Sequence, residues 1–201
     1  MTNINKNKEI YISVDVEADG PIPGPFSMSS LGAAAVGIGQ LSTFTPLDPT
    51  LKENQFYVEL KPISDDFDPE AIAVGGFDHA QLKITGTDPA EGMTNFAAWV
   101  DALRLKYNAV PVFTAYPSAY DFMFTNWYLI RFSTLPSPFG HGRTKDIKDT
   151  YAMRANTTMI NSTKRSMPKH LFSTLPHTHN ALDDAVEQGI LFQNIMAWDG
   201  K

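Results

Sequence analysis

Asp15 and Glu17 stand two residues apart in the stretch Ile10-Tyr-Ile-Ser-Val-Asp-Val-Glu17, a spacing that puts both carboxylates on one face of an extended chain. Ile12, Val14 and Val16 take the opposite face, so the stretch predicts a strand with one apolar side and two acids at its exit. A surface strand with solvated acids would read the same way taken alone. Two further segments sharpen the picture. Ala115-Tyr-Pro-Ser-Ala-Tyr-Asp121 ends in a carboxylate after a predicted strand, and His179-Asn-Ala-Leu-Asp-Asp184 lies near the other end of the chain. Asn180 is a good helix N-cap, and Leu182, Ala185, Val186, Gly189, Phe192 and Met196 trace one helical stripe behind it. Asp184 then falls in the first turns of an amphipathic helix, with His179 just before it. Charges that favour the helix dipole would account for one of Asp183 and Asp184 but leave His179 unexplained.

This set of groups suits metal-dependent chemistry on phosphodiesters. Carboxylate oxygens are the donors that magnesium prefers, two such cations brace the attacking and leaving oxygens of an in-line displacement, and an imidazole near neutrality can take a proton from water.

Asp-x-Glu closing the first strand, an Asp in a strand-to-helix segment and His-x-x-x-x-Asp opening the last helix together resemble the DEDDh exonucleases. That superfamily includes the polymerase III proofreading subunit, ribonuclease T and oligoribonuclease. The resemblance spans about residues 10 to 197, and His-Asn-Ala-Leu-Asp-Asp-Ala is its most specific piece. It implies a ribonuclease H-like α/β fold, a mixed five-stranded sheet flanked by helices, and a 3′-to-5′ exonuclease acting on nucleic acid with a free 3′ end, preferably single-stranded. The product would be a nucleoside 5′-monophosphate. Asp15, Glu17, Asp121 and Asp184 would bind two Mg²⁺ ions, with Mn²⁺ able to substitute, and His179 would act as general base. The family's usual His-Asn pair before the second-motif aspartate is replaced here by Tyr116 and Pro117. Asp149, in Lys148-Asp-Thr-Tyr, resembles the family's structural Asp-Thr segment, although Asp146 shifted in register would fit as well. In similar enzymes the region after Glu17 meets the terminal nucleotide, which makes Phe26, Met28 and Ser29 candidate substrate contacts; a linker packed on the core is the competing reading for each. RNA and DNA both stay open, with RNA slightly preferred, because nothing identifiable reads the sugar. A non-catalytic nucleic-acid-binding domain on an inactive nuclease scaffold is the alternative, against which all four carboxylates and His179 argue.

The elements that must position these groups follow an α/β order. Strands are expected at 10–17, Leu31 to Phe44 and Phe56 to Leu60, an antiparallel meander without helical spacers. Phe96, Trp99, Val100 and Leu103 mark a helix, Ala109 to Thr114 a strand, Ala119 to Phe132 a second helix, and a last helix begins near Asn180. Phe122, Phe124, Trp127 and Tyr128 sit at helical spacing, where core packing and base stacking are both available roles. Asp65-Asp-Phe-Asp68 lacks the glycine and ligand spacing of a calcium loop and reads as a turn or helix start. His170, His177 and His179 lack the partners of a zinc site.

The chain has 201 residues, 43% hydrophobic, enough for one core; residues 9–201 are expected to form a single domain and residues 1–8 a mobile tail. No apolar run is long enough to span a membrane and no signal-like start is present, so a cytoplasmic location without membrane contact is expected. With no cysteine there is no disulfide or thiolate site. A homodimer stays open. The net charge is −6, but residues 131 to 179 hold eight Lys or Arg against Asp146 and Asp149, a local +6 that leaves −12 elsewhere. That segment leads to His179 and is either a solvated basic face or a hold for phosphates.

Overall fold

The computed structural model describes residues 4–175 and 178–200. His177 and the first three residues of the expected tail lie outside the described residues, while Lys8 already belongs to the sheet. Among the described residues no helix is long and apolar enough to cross a membrane.

Among the described residues, six strands form one mixed sheet. β1 (Lys8–Ala18) runs antiparallel to β2 (Met28–Gln40) and parallel to β5 (Val110–Ala115), which pairs in parallel with the short β6 (Thr144–Asp146). The outer edge of β2 is shared: its first half pairs with β4 (Gln55–Glu59) and its second half with β3 (Thr43–Pro46). The expected long second strand is thus β2 plus a tight return into β3, and the antiparallel meander is present. The five-strand expectation holds for the main path β3-β2-β1-β5-β6, with β4 the sixth.

The helices cover both faces, as strands buried on both sides require. Ile10, Ile12, Val14 and Val16 of β1 face a core built with α3 (Pro89–Tyr107) and α4 (Ser118–Phe132), where Phe96, Val100, Phe124 and Tyr128 are buried. Tyr11 faces the other core, with α5 (Ile147–Arg154) and α6 (Ala181–Ala197), where Ile147, Leu191, Phe192 and Ile195 are buried. Period-two alternation therefore sends Ser13, Asp15 and Glu17 toward α6. Two short helices follow β4: α1 (Pro69–Gly75), which begins at Asp68 as the turn or helix-start reading of Asp65-Asp-Phe-Asp68 allowed, and α2 (His79–Thr85), which was not foreseen. They rest on Asp68 and Asp78 as N-caps rather than on an apolar stripe, and α1 buries none of its residues.

α6 lies close against the sheet because the facing positions are small. A Cβ on Gly189 would lie 2.5 Å from Val36 Cγ1, and one on Gly32 would run into the backbone of Ala181 and Leu182, where α6 begins. Gly189 would meet a side chain; Gly32 meets main chain that cannot step aside. Gly32→Ala should therefore push the start of α6 off β2 and destabilise the fold by about 1–3 kcal/mol, the usual range for overpacking. At a few degrees per kcal/mol for a chain of this size, thermal unfolding followed by circular dichroism would register the loss, and an unchanged Tm would refute the tight approach.

Candidate active site

β1 outruns its parallel neighbour. Its pairing with β5 ends at Ser13 and Thr114, so the backbone groups of Val14 and Val16 on that edge need other partners. The Val14 carbonyl accepts from Gln188 Nε2 at 2.9 Å, and the Val16 N–H donates to Asp121 Oδ1 at 3.1 Å. Gln188 also accepts the Tyr116 N–H through Oε1 at 2.8 Å. Asp121, near the start of α4, and Gln188, one turn beyond Asp184 on α6, thus replace the missing strand and draw both helices to the end of β1.

The four predicted carboxylates meet there. Asp121 and Asp184 are buried, Asp15 and Glu17 half-buried. Burial, followed by repulsion from Asp121, Glu17 and Asp184, holds the Asp15 carboxyl well above the usual carboxylate range, with Lys164 pulling the other way. Glu17 is pushed up to about 7 by burial and then by Asp184. Asp121 is pushed up to about 7 by burial, against the Val16 N–H that favours its charged form; Glu17 and Asp146 add to the rise. Ligand atoms of Glu17, His179 and Asp184 all lie within 4.8 Å of one another. His179 is exposed, on a left-handed turn with φ 55° that brings the chain into α6. The following turn is fixed locally. Asn180 Oδ1 accepts the Leu182 and Asp183 N–H groups, the Thr178 N–H donates to Asp184 Oδ1 at 3.3 Å, and Thr178 Oγ1 donates to Asp183 Oδ2 at 2.9 Å. Asp183 is thereby engaged by the Thr178 hydroxyl on the exposed side of the turn, leaving Asp184 for the site.

The choice between Asp146 and Asp149 is resolved by geometry. Asp146 Oδ2 accepts from the Ser118 N–H and hydroxyl at 2.8 and 3.1 Å, while Oδ1 accepts from the Lys148 and Asp149 N–H groups. It anchors the starts of both α4 and α5, and so the turn that carries Asp121. Asp149 is exposed.

The candidate substrate contacts are not brought together. Met28 is fully buried in the core and Ser29 is buried in β2, with no side-chain surface to offer; Phe26 is half-buried with its ring packed over Gly20. Phe124 and Tyr128 are core residues, and Phe122 and Trp127 pack partly buried against the core. Much of the basic segment is structural: Arg143 donates to the Pro138 and Pro111 carbonyls, Arg154 to that of Trp198, and Arg131 lies over the Phe132 ring.

Several residues at the site escaped the sequence reading. Gln188 follows Asp184 by four, a same-face spacing that was available as a signal. Tyr120 donates to the Gly20 carbonyl at 3.1 Å, and burial together with the neighbouring acids pushes its phenol up to about 12. At the end of α1, a Cβ on Gly75 would sit 3.4 Å from a Glu17 carboxylate oxygen, so this helix borders the acids. Asp19, fully buried, accepts the Ser27 N–H and lies 3.5 Å from His79 Nε2, tying the turn after Glu17 to the start of α2.

The donor set fits divalent cations. Four carboxylates, of which burial drives Asp15, Glu17 and Asp121 toward protonation, are the oxygen donors a hard cation would stabilise in their charged form.

No protein-family model matches the chain. A curated relative, the 3′-5′ DNA exonuclease Cap18 of Escherichia coli, is 34% identical over 189 residues, covering 94% of this chain and 92% of that protein. Among solved structures, the nuclease domain of 3′hExo, a DEDDh family member bound to rAMP, matches with a TM-score of 0.67 at 15% identity over 97% of this chain and 94% of that one. A 3′-exonuclease that recognises the 3′ end of histone mRNA stem-loop matches with a TM-score of 0.65 at 13% identity over 98% of this chain, which spans 66% of that one. The two structures share the ribonuclease H-like fold with this chain, and the curated relative shares its sequence across nearly its whole length. With the five-residue pattern intact, the chain belongs to the DEDDh family of 3′–5′ exonucleases and is a nuclease.

Proposed function

We propose that this exonuclease hydrolyses phosphodiester bonds at the free 3′ end of single-stranded nucleic acid with two divalent cations, Mg²⁺ or Mn²⁺, and releases nucleoside 5′-monophosphates. The observation that carries the reading is the convergence of Asp15, Glu17, Asp121 and Asp184, from β1, α4 and α6, beside His179. Those four carboxylates would hold the cations, which when bound supply positive charge to the attacking and leaving oxygens. Each residue then has a separate task. Asp121 is fixed by the Val16 N–H and Asp184 by the Thr178 N–H, so neither has to reorient to meet a ligand. His179, exposed at the rim of the acids, takes the proton from the attacking water.

The substrate reading follows from the surroundings. The curated relative acts on DNA, which favours DNA here over the slight RNA preference of the sequence reading. Of Phe26, Met28 and Ser29, Phe26 retains exposed surface for a nucleotide. Gly75 at the end of α1 borders Glu17, and the exposed Val74 precedes it, so a terminal base would come to rest against this helix.

Purified protein should shorten single-stranded oligonucleotides from the 3′ end with Mg²⁺ or Mn²⁺ and stop when chelator is added; full activity in chelator would end the metal reading. Matched DNA and RNA strands, each blocked in turn at the 3′ end, test direction and sugar preference together. Asp15→Ala and Asp184→Ala should lose most activity while remaining folded.

His179 separates base from ligand. His179→Ala should lower the single-turnover rate by roughly 10²- to 10⁴-fold, the usual worth of general base catalysis, with Mn²⁺ affinity nearly intact, whereas Asp184→Ala should weaken both. An unchanged rate near neutral pH would make His179 structural.

The raised carboxylates also set a pH dependence. Glu17 and Asp121 titrate near 7 in the folded protein against ordinary values of 4.5 and 3.8, so between those limits the folded state holds protons that the unfolded state has released. Stability of the metal-free protein should therefore fall as pH rises from about 4 to about 7 and then level off. Thermal melts should show Mn²⁺ raising Tm more near pH 8 than near pH 5; an equal shift at both would refute the proton-cation competition.

A further inference from the structure

Lys164 stands apart from the other cations of the basic segment. It opens a single 3₁₀ turn, Lys164–Ser166, in the connection between α5 and α6. Its Nζ donates to Glu187 Oε2 at 2.6 Å and lies 5.7 Å from the centre of the Tyr116 ring. Glu187 is buried and sits on α6 three residues after Asp184, on the same side of the helix. Tyr116 is held at both ends, its N–H by Gln188 and its hydroxyl by the Ser162 carbonyl at 2.7 Å, two residues before Lys164. The segment bearing the lysine is thus pinned to the residue that stands where the family's second motif departs from its usual form. Arg131, Arg143 and Arg154 are engaged by ring or carbonyl partners, whereas the field of the Lys164 ammonium reaches Asp15.

We propose that Lys164 is a substrate-contacting residue of this exonuclease, its ammonium held by Glu187 over the Tyr116 ring so that its remaining donors bind a phosphate oxygen of the nucleic-acid strand. An ammonium has three N–H donors, Glu187 takes one, and the side chain keeps 37% of its surface exposed. A buried carboxylate partner restrains the long side chain before substrate arrives, which lowers the ordering cost of a phosphate contact. The cation also offsets the repulsion that a phosphate would meet on approaching an acidic cluster. This inference rests on the proposed phosphodiesterase reading.

The competing role is purely internal, with Lys164 present only to neutralise Glu187, and a double substitution separates the two. In single-stranded DNA degradation, Lys164→Gln should lower kcat/KM about 10- to 100-fold, the scale of a charge-assisted hydrogen bond, with Lys164→Arg recovering most of the loss. Lys164→Gln combined with Glu187→Gln leaves no buried charge unpaired and should fold, as its Tm would report, yet remain as slow as Lys164→Gln. The salt dependence of oligonucleotide binding, read by fluorescence anisotropy with Ca²⁺, should flatten by about 0.7 in log-log slope, one phosphate contact on a single strand. Mn²⁺ affinity measured without oligonucleotide should stay within about twofold. Recovery of parent activity in the double variant would overturn the proposal, as would an unchanged binding slope or a fall in Mn²⁺ affinity that parallels the fall in activity. If the parent binds DNA in a Lys164-dependent way but cleaves nothing, the phosphate contact stands and the hydrolytic reading fails.

Discussion

A strand that extends past its hydrogen-bonded neighbour leaves polar backbone groups that must be satisfied, and the end of β1 is organised around that requirement. Among the described residues, no strand pairs with the β5 edge of β1 beyond Ser13. The Val14 carbonyl and the Val16 N–H are instead taken by Gln188 and Asp121, and a buried backbone group left without a partner would cost about 1–3 kcal/mol. The same bonds that satisfy the backbone fix the N-terminal ends of α4 and α6 at the place where Asp15 and Glu17 emerge. Site geometry and fold integrity are thereby one set of contacts, and Asp121 serves both.

Opposing this convergence is the repulsion among the acids it collects. Asp15, Glu17 and Asp121 are all driven toward the protonated form, in each case first by burial. Such a cluster is unfavourable in the free protein and becomes favourable when a cation is bound, which is the pattern expected of a site shaped for a ligand rather than for stability. The remainder of the fold supplies what the site lacks: two hydrophobic cores, one on each sheet face, and the close seating of α6 on β2 through Gly32 and Gly189. Asp146 contributes from the side, joining the first turns of α4 and α5 through Ser118.

What was legible in the sequence follows from where periodicity survives. β1 and α6 each set an apolar face against one that carries acids, so the alternation of Ile12, Val14 and Val16 against Asp15 and Glu17, and the stripe behind Asn180, both carried information. β2 has no such contrast. From Met28 to Val36 its residues are small or apolar and all buried, so nothing in the pattern separated Met28 and Ser29 from a surface loop; two covered faces erase the signal. α1 and α2 have local Asp68 and Asp78 caps but no apolar stripe, and α2 is also placed by the contact of Asp19 with His79, residues far apart in sequence. The three-residue β6 likewise depends on its pairing with β5, and the choice of Asp146 over Asp149 on Ser118, 28 residues away. Spacing identified the carboxylates that converge at the end of β1, but not the groups that hold them.

The departure at Tyr116 illustrates the difference. As a sequence feature it was a mismatch to a family motif that put local hydrogen bonding, rather than the Asp121 carboxylate, in question. In the fold its N–H is held by Gln188, the residue that also binds β1, and its hydroxyl is held by Ser162. A smaller side chain could not span from the end of β5 to that segment, and the turn carrying Lys164 would lose this tie while staying held by Glu187 and by Met167 and Leu171 in the core. The substitution therefore exchanges a local polar pair for a longer tether, and one consequence is an ammonium beside α6 three residues beyond Asp184. Because Gln188 and Glu187 are adjacent on the same helix as Asp184, any shift of α6 would move the carboxylate, the strand-edge clamp and the lysine's partner together. Metal ligation and substrate contact would then be linked through the seating of one helix, without requiring a separate moving part.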